Sequence, residues 1–388
     1  MPSAGISYLT TSLPLGLGLR RAAYIMAASL ALLLVALTLG LLTVSPPSHG
    51  PEAYCYVLRV EVFNNGSAPM PLDYFRCITV FPNTSRQDVE VVEVKWWVDD
   101  VGGSSYVLAT TSERNVEVRL VDTPDVLAPG SRFKLKLTMH VRLHCGPRPP
   151  CLNPNSSLPP SAIPSEVREV FCLKTRLWDF NDPLVAQLLN NLTAGSNATT
   201  LSLIASFIEW IDEHIAYPLE VGEGIVKYPN ETLIELSGDC DDRANLFITL
   251  CRGAGIPCFL QYGVVYEPGV EEDYTCFNGR YSYRGSWLGR HGWAMVYVPP
   301  WGWLPVDFTY FEGLELREED GRTFIHAASP LNHVVGAAVW MEEVIVEGNV
   351  TSRDYMASNL KLLSLLEEYN AYLLQVEELR PWPPLPQV

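Results

Sequence analysis

An α+β protein is the fold class the sequence predicts: a β-sandwich, then a domain whose helices precede its strands, both behind an apolar N-terminal span. Three observations predict it. Between Tyr54 and His144, apolar and polar residues alternate in short runs, the period of half-buried strands. From Pro183 to Gly253, apolar residues recur instead at three- and four-residue spacing, as on the inner face of helices. Alternation returns from Phe259 onward.

At 388 residues the chain suits two globular domains plus extensions. Hydrophobic residues make up 48% and charged residues 18%, a globular composition. The formal net charge of −17 argues against a nucleic-acid partner, because phosphate binding needs clustered Lys and Arg.

Ala22 to Val44 carries no charge, and about 20 apolar residues span a bilayer. Arg20 and Arg21 precede it and Ser45-Pro46-Pro47 follows. Arginines stay in the cytoplasm, so residues 1–21 read as a cytoplasmic tail, 22–44 as an uncleaved signal anchor, and the C-terminal bulk as extracytoplasmic. A cleaved signal peptide has a shorter apolar core and ends in small residues. Thr43-Val44-Ser45 does not supply that ending. Seven Asn-X-Ser/Thr sequons, at Asn65, Asn83, Asn155, Asn191, Asn197, Asn230 and Asn349, follow the span and mildly favour the same side.

Residues 45–53 form a tether. Strands are expected at Tyr56 to Phe63, Val89 to Val94, Val116 to Val121 and Phe133 to Val141, with turn signals at Asn64-Asn65-Gly66, Gly102-Gly103 and Pro129-Gly130. Together they predict a sandwich over residues 54–144. Residues 145–165 are proline-rich and read as a linker. A domain over 166–315 follows, with helices at Pro183 to Leu192, Thr200 to His214 and Cys240 to Gly253, then strands at Phe259 to Tyr266, His291 to Val298 and Trp303 to Phe308. The extension 316–388 is expected to hold a strand at Val339 to Val346, an amphipathic helix from Asp354 to Leu379, and a loose Pro-rich tail.

Ser237-Gly238-Asp239-Cys240-Asp241-Asp242-Arg243-Ala244 is the stretch that carries chemistry. Asp239 suits a helix N-cap, which puts Cys240 in the first turn, where the helix dipole favours thiolate. Asp239, Asp241 and Asp242 oppose this, so a cationic histidine partner matters more. His291 opens the next-but-one strand, and a hairpin through Pro299-Pro300 would bring Asp307 beside it to hold the imidazole tautomer. Cys240, His291 and Asp307 are therefore the candidate nucleophile, base and orienter. As isolated residues they read as a core thiol, a strand histidine and a turn cap.

Nine cysteines allow one reactive thiol and up to four bridges, Cys145 and Cys151 being the easiest to join. Cys251 and Cys258 read equally as reduced core thiols. Zinc spacing is absent, and successive aspartates at a helix start point apart. No metal and no cofactor is expected.

Gly238-Asp-Cys-Asp-Asp-Arg-Ala, Cys251-Arg-Gly-Ala-Gly-Ile-Pro, His291-Gly-Trp-Ala and Gly302-Trp-Leu-Pro-Val-Asp-Phe-Thr resemble the core blocks of the transglutaminase-like superfamily. The likeness covers residues 178–312, and the β-rich region is loosely similar to the accessory sandwich of some prokaryotic members. It implies a papain-like fold, a nucleophile helix packed on an antiparallel sheet, with Cys240, His291 and Asp307 as a catalytic triad for acyl chemistry at amides. It also implies the Cys240 N–H as one oxyanion donor, with Tyr228 and Trp210 as candidates for the second.

Three functions follow: an extracytoplasmic thiol amidase or peptidase acting on cell-envelope peptides, a transglutaminase joining glutamine to an amine, or a non-catalytic scaffold. The first needs only water as acceptor and is the leading expectation.

Overall fold

In the computed structural model, residues 53–83, 87–110, 115–143, 151–152, 156–194, 198–218, 226–309, 314–319, 322–327, 334–340 and 355–383 are described. Their strands are β1 (Ala53–Asn64), β2 (Met70–Pro71), β3 (Cys77–Val80), β4 (Gln87–Val98), β5 (Val101–Gly103), β6 (Tyr106–Thr110), β7 (Val116–Leu120), β8 (Val126–Leu127) and β9 (Arg132–Leu143). They continue with β10 (Cys151–Leu152), β11 (Cys258–Cys276), β12 (Tyr281–Val298), β13 (Gly302–Val306), β14 (Leu314–Glu319), β15 (Arg322–Ala327), β16 (Val334–Trp340) and β17 (Ala371–Pro381). The helices are α1 (Asp73–Arg76), α2 (Ser165–Phe171), α3 (Pro183–Thr193), α4 (Thr200–His214), α5 (Pro229–Glu235), α6 (Cys240–Gly253) and α7 (Tyr355–Glu368). Ala22–Val44 lies outside the described residues; among the described ones no helix is long and apolar enough to cross a membrane.

The fold is mixed α+β, but one nine-stranded sheet runs from the N-terminal strands into the helix-bearing part. Its order is β16-β11-β12-β17-β1-β9-β4-β5, with β13 also on β12. Residues 51–388 are one compact unit, so the β-rich region expected to stand alone at 54–144 is joined laterally to the rest. The joint is β17. It pairs antiparallel with β1 from Tyr54↔Pro381 to Asn64↔Ala371 and parallel with β12 from Tyr281↔Leu373 to Ser286↔Glu378.

This corrects the helix expected over Asp354–Leu379. Only Tyr355–Glu368 is helical; Asn370 takes a left-handed conformation, φ 46°, and a strand begins at Ala371. Ala371, Leu373, Glu377, Leu379 and Pro381 are buried at a spacing of two or its multiples. The apolar residues at 373, 376 and 379 also suit a helix, and the backbone partners waiting on β1 and β12 decide between the two periods. Of the strand expected at Val339 to Val346, residues 339–340 end β16, Val334–Trp340; residues 341–346 lie outside the described set. The expected linker carries structure too: β10 pairs with β15, and α2 begins at Ser165.

Among the described residues, two large apolar cores lie along the sheet. The first packs α4 and α6 against β11, β12 and β13 through Phe207, Phe247, Leu260, Val296 and Val306. The second gathers Tyr54, Leu58, Leu137 and Val118 with Tyr283 and Leu379. At about 1.5–3 kcal/mol for each large side chain taken from water, these cores dominate the stabilisation.

Helix α6 sits in the first core, and every residue from Asp242 to Arg252 is buried. Its polar residues have partners. Trp178 Nε1 donates to Asn245 Oδ1 at 2.8 Å. Arg252 donates to the carbonyls of Cys258 at 2.8 Å and Leu173 at 2.9 Å, with its guanidinium 3.9 Å from the Trp178 ring.

Candidate active site

Helix α6 begins where the sequence predicts, through a capping box between Asp239 and Asp242. Asp242 Oδ2 accepts from the Asp239 N–H at 3.3 Å, and Oδ1 from the Lys227 N–H at 2.8 Å. A Cβ on Gly238 would lie 2.7 Å from that of Asp242, so only glycine admits this turn. Asp242 is buried as it caps the helix. Burial, then the Asp239 charge, pushes its carboxyl up to about 6.

Strand β12 meets this helix start edge-on. Residues 281–286 pair with β17 and residues 294–298 with β13, and His291 lies in the interval between them. Its place is thus in the interior of a strand that starts at Tyr281, ten residues earlier than the expected start. A Cβ on Gly292 would lie 3.1 Å from that of Asp241, so the glycine admits the helix. The Gly292 N–H bonds to the Cys240 thiol, which sits against the peptide next to His291.

Asp307 follows β13, which pairs with β12 in the register Ala294↔Val306. That register carries its carboxylate to the imidazole: His291 Nε2 and Asp307 Oδ2 are 2.6 Å apart, with both side chains almost wholly buried. The other oxygen, Oδ1, accepts from the Thr309 N–H at 2.8 Å. A carboxylate only accepts, so Nε2 carries the proton and Nδ1 is the basic nitrogen. The His291 ring stacks on Trp293 at 5.7 Å.

Burial, then the charges of Asp241 and Asp239, holds the Cys240 thiol well above its ordinary value, against the opposing N–H groups of Gly292 and Asp241. These contributions oppose the helix-start thiolate that the sequence favours. Burial also holds Cys251 well above its ordinary value, with Cys258 beside it, and both are buried thiols without a bridge. Cys55 and Cys172 are free as well, while Cys145 lies outside the described residues.

Tyr217 is the neighbour that sequence reasoning missed. A parallel bridge joins Ala216 to Ser237, with Ala216 N–H donating to the Leu236 carbonyl and Gly238 N–H to the Ala216 carbonyl, each at 3.0 Å. The next residue, Tyr217, is thereby carried beside the nucleophile turn. Tyr217 is 42% exposed; partial desolvation, then the neighbouring Cys240, Asp239 and Asp241, raises its phenol pKa, so it is an O–H donor. By contrast Trp210 stacks on His214, centroids 4.5 Å apart, and Tyr228 caps α5 with Arg176 5.9 Å from its ring centre.

Asp239, Cys240 and Asp241 bring one donor atom each within 4.8 Å of the others. These are consecutive residues at a helix start, and this arrangement alone defines no coordination site.

A helix beginning at Cys240, packed on an antiparallel sheet that pairs His291 with Asp307, has the architecture of a papain-like fold. Residues 186–308 match the transglutaminase-like superfamily, so the chain carries a transglutaminase-like domain. It is similar to the kyphoscoliosis peptidase of Mus musculus, 30% identical over 120 residues, which are 30% of this chain and 17% of the mouse protein. The chain thus spans about a sixth of that relative's length. Among solved structures it resembles a candidate cysteine protease from Cytophaga hutchinsonii, with TM-score 0.46 and 14% identity over 74% of this chain and 81% of that one. It also resembles the periplasmic domain of TgpA from Pseudomonas aeruginosa, with TM-score 0.31 and 15% identity over 68% and 89%. The low TM-scores add nothing to the assignment, which rests on residues 186–308.

Proposed function

We propose that the domain is a thiol-dependent amide hydrolase acting on peptides, with Cys240 as nucleophile, His291 as base and Asp307 as its orienter. The observation that carries this reading is the buried His291–Asp307 pair at 2.6 Å, set beside the Cys240 seat on Gly292. The neutral thiol gives its proton to His291 Nδ1 as Sγ attacks the amide carbonyl carbon. The oxyanion is held by the Cys240 N–H and the Tyr217 O–H. Collapse breaks the C–N bond, the imidazolium protonates the departing amine, and water releases the acyl group from sulfur as a carboxylic acid.

The reading extends to location. The uncharged run Ala22–Val44 behind Arg20 and Arg21 supports a signal anchor with residues 45–388 outside, where envelope peptides would be the substrates. The accessory β-sandwich belongs to the same proposal, supported by the separate sheet β3-β7-β6 sharing a core with β1, β4 and β9.

The test is incubation with a glutamine-containing peptide library, with and without a primary amine, read by mass. Hydrolysis products that vanish in Cys240→Ala, with thermal stability retained, are expected. Amine adducts would make the protein a transglutaminase; turnover unchanged in Cys240→Ala would remove Cys240 from the mechanism, and none in the wild type would leave a scaffold. Tyr217→Phe is expected to lower kcat about 10²-fold with KM little changed; an equal fall in thiol alkylation would mean that it acts on the thiol instead.

A further inference from the structure

Arg243 lies one turn after Cys240 on α6, is 6% exposed, and has no part in the mechanism above. Nη1 donates to the Phe308 carbonyl at 2.7 Å, and the guanidinium lies 5.2 Å from the Phe308 ring centre. Nη2 binds the Asp212 carboxylate on α4. One side chain thus ties the nucleophile helix to the residue after Asp307 and to a second helix. We propose that Arg243 is a positioning residue. It locks the Asp307–Phe308 segment onto α6, and its charge, partly cancelled by Asp212, sets how strongly Asp307 acts on His291.

The charged and titratable groups around it support this. Asp212 faces it from α4, Tyr217 from just beyond α4, and Asp307 from the end of β13. On its own helix, the Arg243 N–H donates to the Asp239 carbonyl, with Cys240 and Asp241 in the same turn. His291 in turn meets Asp307 at the end of β13, and the next residue, Gly292, lies against the start of α6. Burial lowers the Arg243 pKa, and Asp212, Tyr217 and Asp307 all oppose that. Asp212 is itself pushed up by burial, against Arg243. A guanidinium can hold a carbonyl and a carboxylate together in its rigid fork; an ammonium offers only a point charge.

The inference rests on the proposed triad, so its test needs no substrate. The His291 ring, identified by the signal lost in His291→Gln, is titrated by NMR in three full-length variants. Arg243→Met removes a cation from beside Asp307, which then favours imidazolium more strongly, so the His291 midpoint rises by roughly half a unit or more. Asp212→Asn removes the counter-charge and lowers the midpoint. Arg243→Lys keeps the charge and leaves the midpoint near wild type, while the lost fork lowers the Cys240 alkylation rate several-fold. Opposite shifts in the first two variants are the expected result. A merely structural arginine would move both in the same direction or neither, and either outcome overturns the proposal. Should Arg243→Met fail to fold, an Asp212→Asn midpoint that does not fall overturns it equally. These readouts stand even if no peptide is cleaved, which would instead refute the hydrolase reading.

Discussion

Arg290 and His291 are neighbours on β12, each paired with a carboxylate, and the two pairs are finished differently. Glu377 on β17 is buried and accepts from Arg290 at 2.5 Å, Gln375 at 2.6 Å and Tyr283 at 3.4 Å. Arg290 also lies 4.2 Å from the Tyr283 ring centre, and Glu377 helps to raise Tyr56 on β1. This network fastens β17 to β12 and β1 with a cation that never titrates. One residue later, the cation is replaced by an imidazole, a side chain that can carry or lose a proton, buried against Asp307 at 2.6 Å. A permanent charge holds the sheet together; a switchable one is the proposed proton acceptor.

The largest effect tests the switchable member. His291→Ala should lower kcat/KM about 10²–10⁴-fold. Activity retained within tenfold would remove His291 from the mechanism. Arg290→Met should do the reverse: the fold is destabilised by roughly 1–3 kcal/mol in a urea titration, and surviving protein turns over normally. Glu377 is the more buried partner, its side chain 5% exposed against 40% for Arg290, so losing its cation costs more than Glu377→Gln, which leaves an arginine that can hydrate. Equal costs for the two variants would show that burial does not set the asymmetry.

The same contrast explains what was legible in the sequence. Helix α6 is bounded by Cys240 and Gly253 as predicted, since an N-cap acid, an inner apolar face and a terminal glycine are local signals. The β12–β13 hairpin was equally legible, as was the meeting of His291 with Asp307 that follows from it. Strand β17 was not, because its period is decided by partners more than 300 residues away at Tyr54 to Asn64. Tyr217 was missed because a bridge across 21 residues, Ala216 to Ser237, brings it to the thiol. For Arg243 a signal existed: an arginine at i+3 from the nucleophile, on a helix otherwise lined with Ala244, Phe247 and Ile248, is a charge that burial obliges to find a partner.

Asp242 stands between the two kinds of pair and offers the smallest and sharpest test. Its side chain is almost fully buried, 4% exposed, with two backbone N–H groups on the carboxylate and Lys227 Nζ 3.8 Å away. The folded protein holds its proton up to about pH 6, against an ordinary value of 3.8. Between those values the native state binds more protons than the unfolded chain. Asp242 therefore contributes stability that is fully present below about pH 4 and lost as pH rises through about 6. Asp242→Asn keeps one acceptor oxygen but turns an amide NH₂ toward a backbone N–H, so it costs about 1 kcal/mol at pH 4. At pH 7 the wild type carries the cost of its buried charge and the variant does not. The variant, less stable at pH 4, should therefore overtake the wild type in melting temperature as pH rises to 7. A gap that stays constant would mean that Asp242 is already ionised at pH 4, held by Lys227 as firmly as Glu377 is held by Arg290.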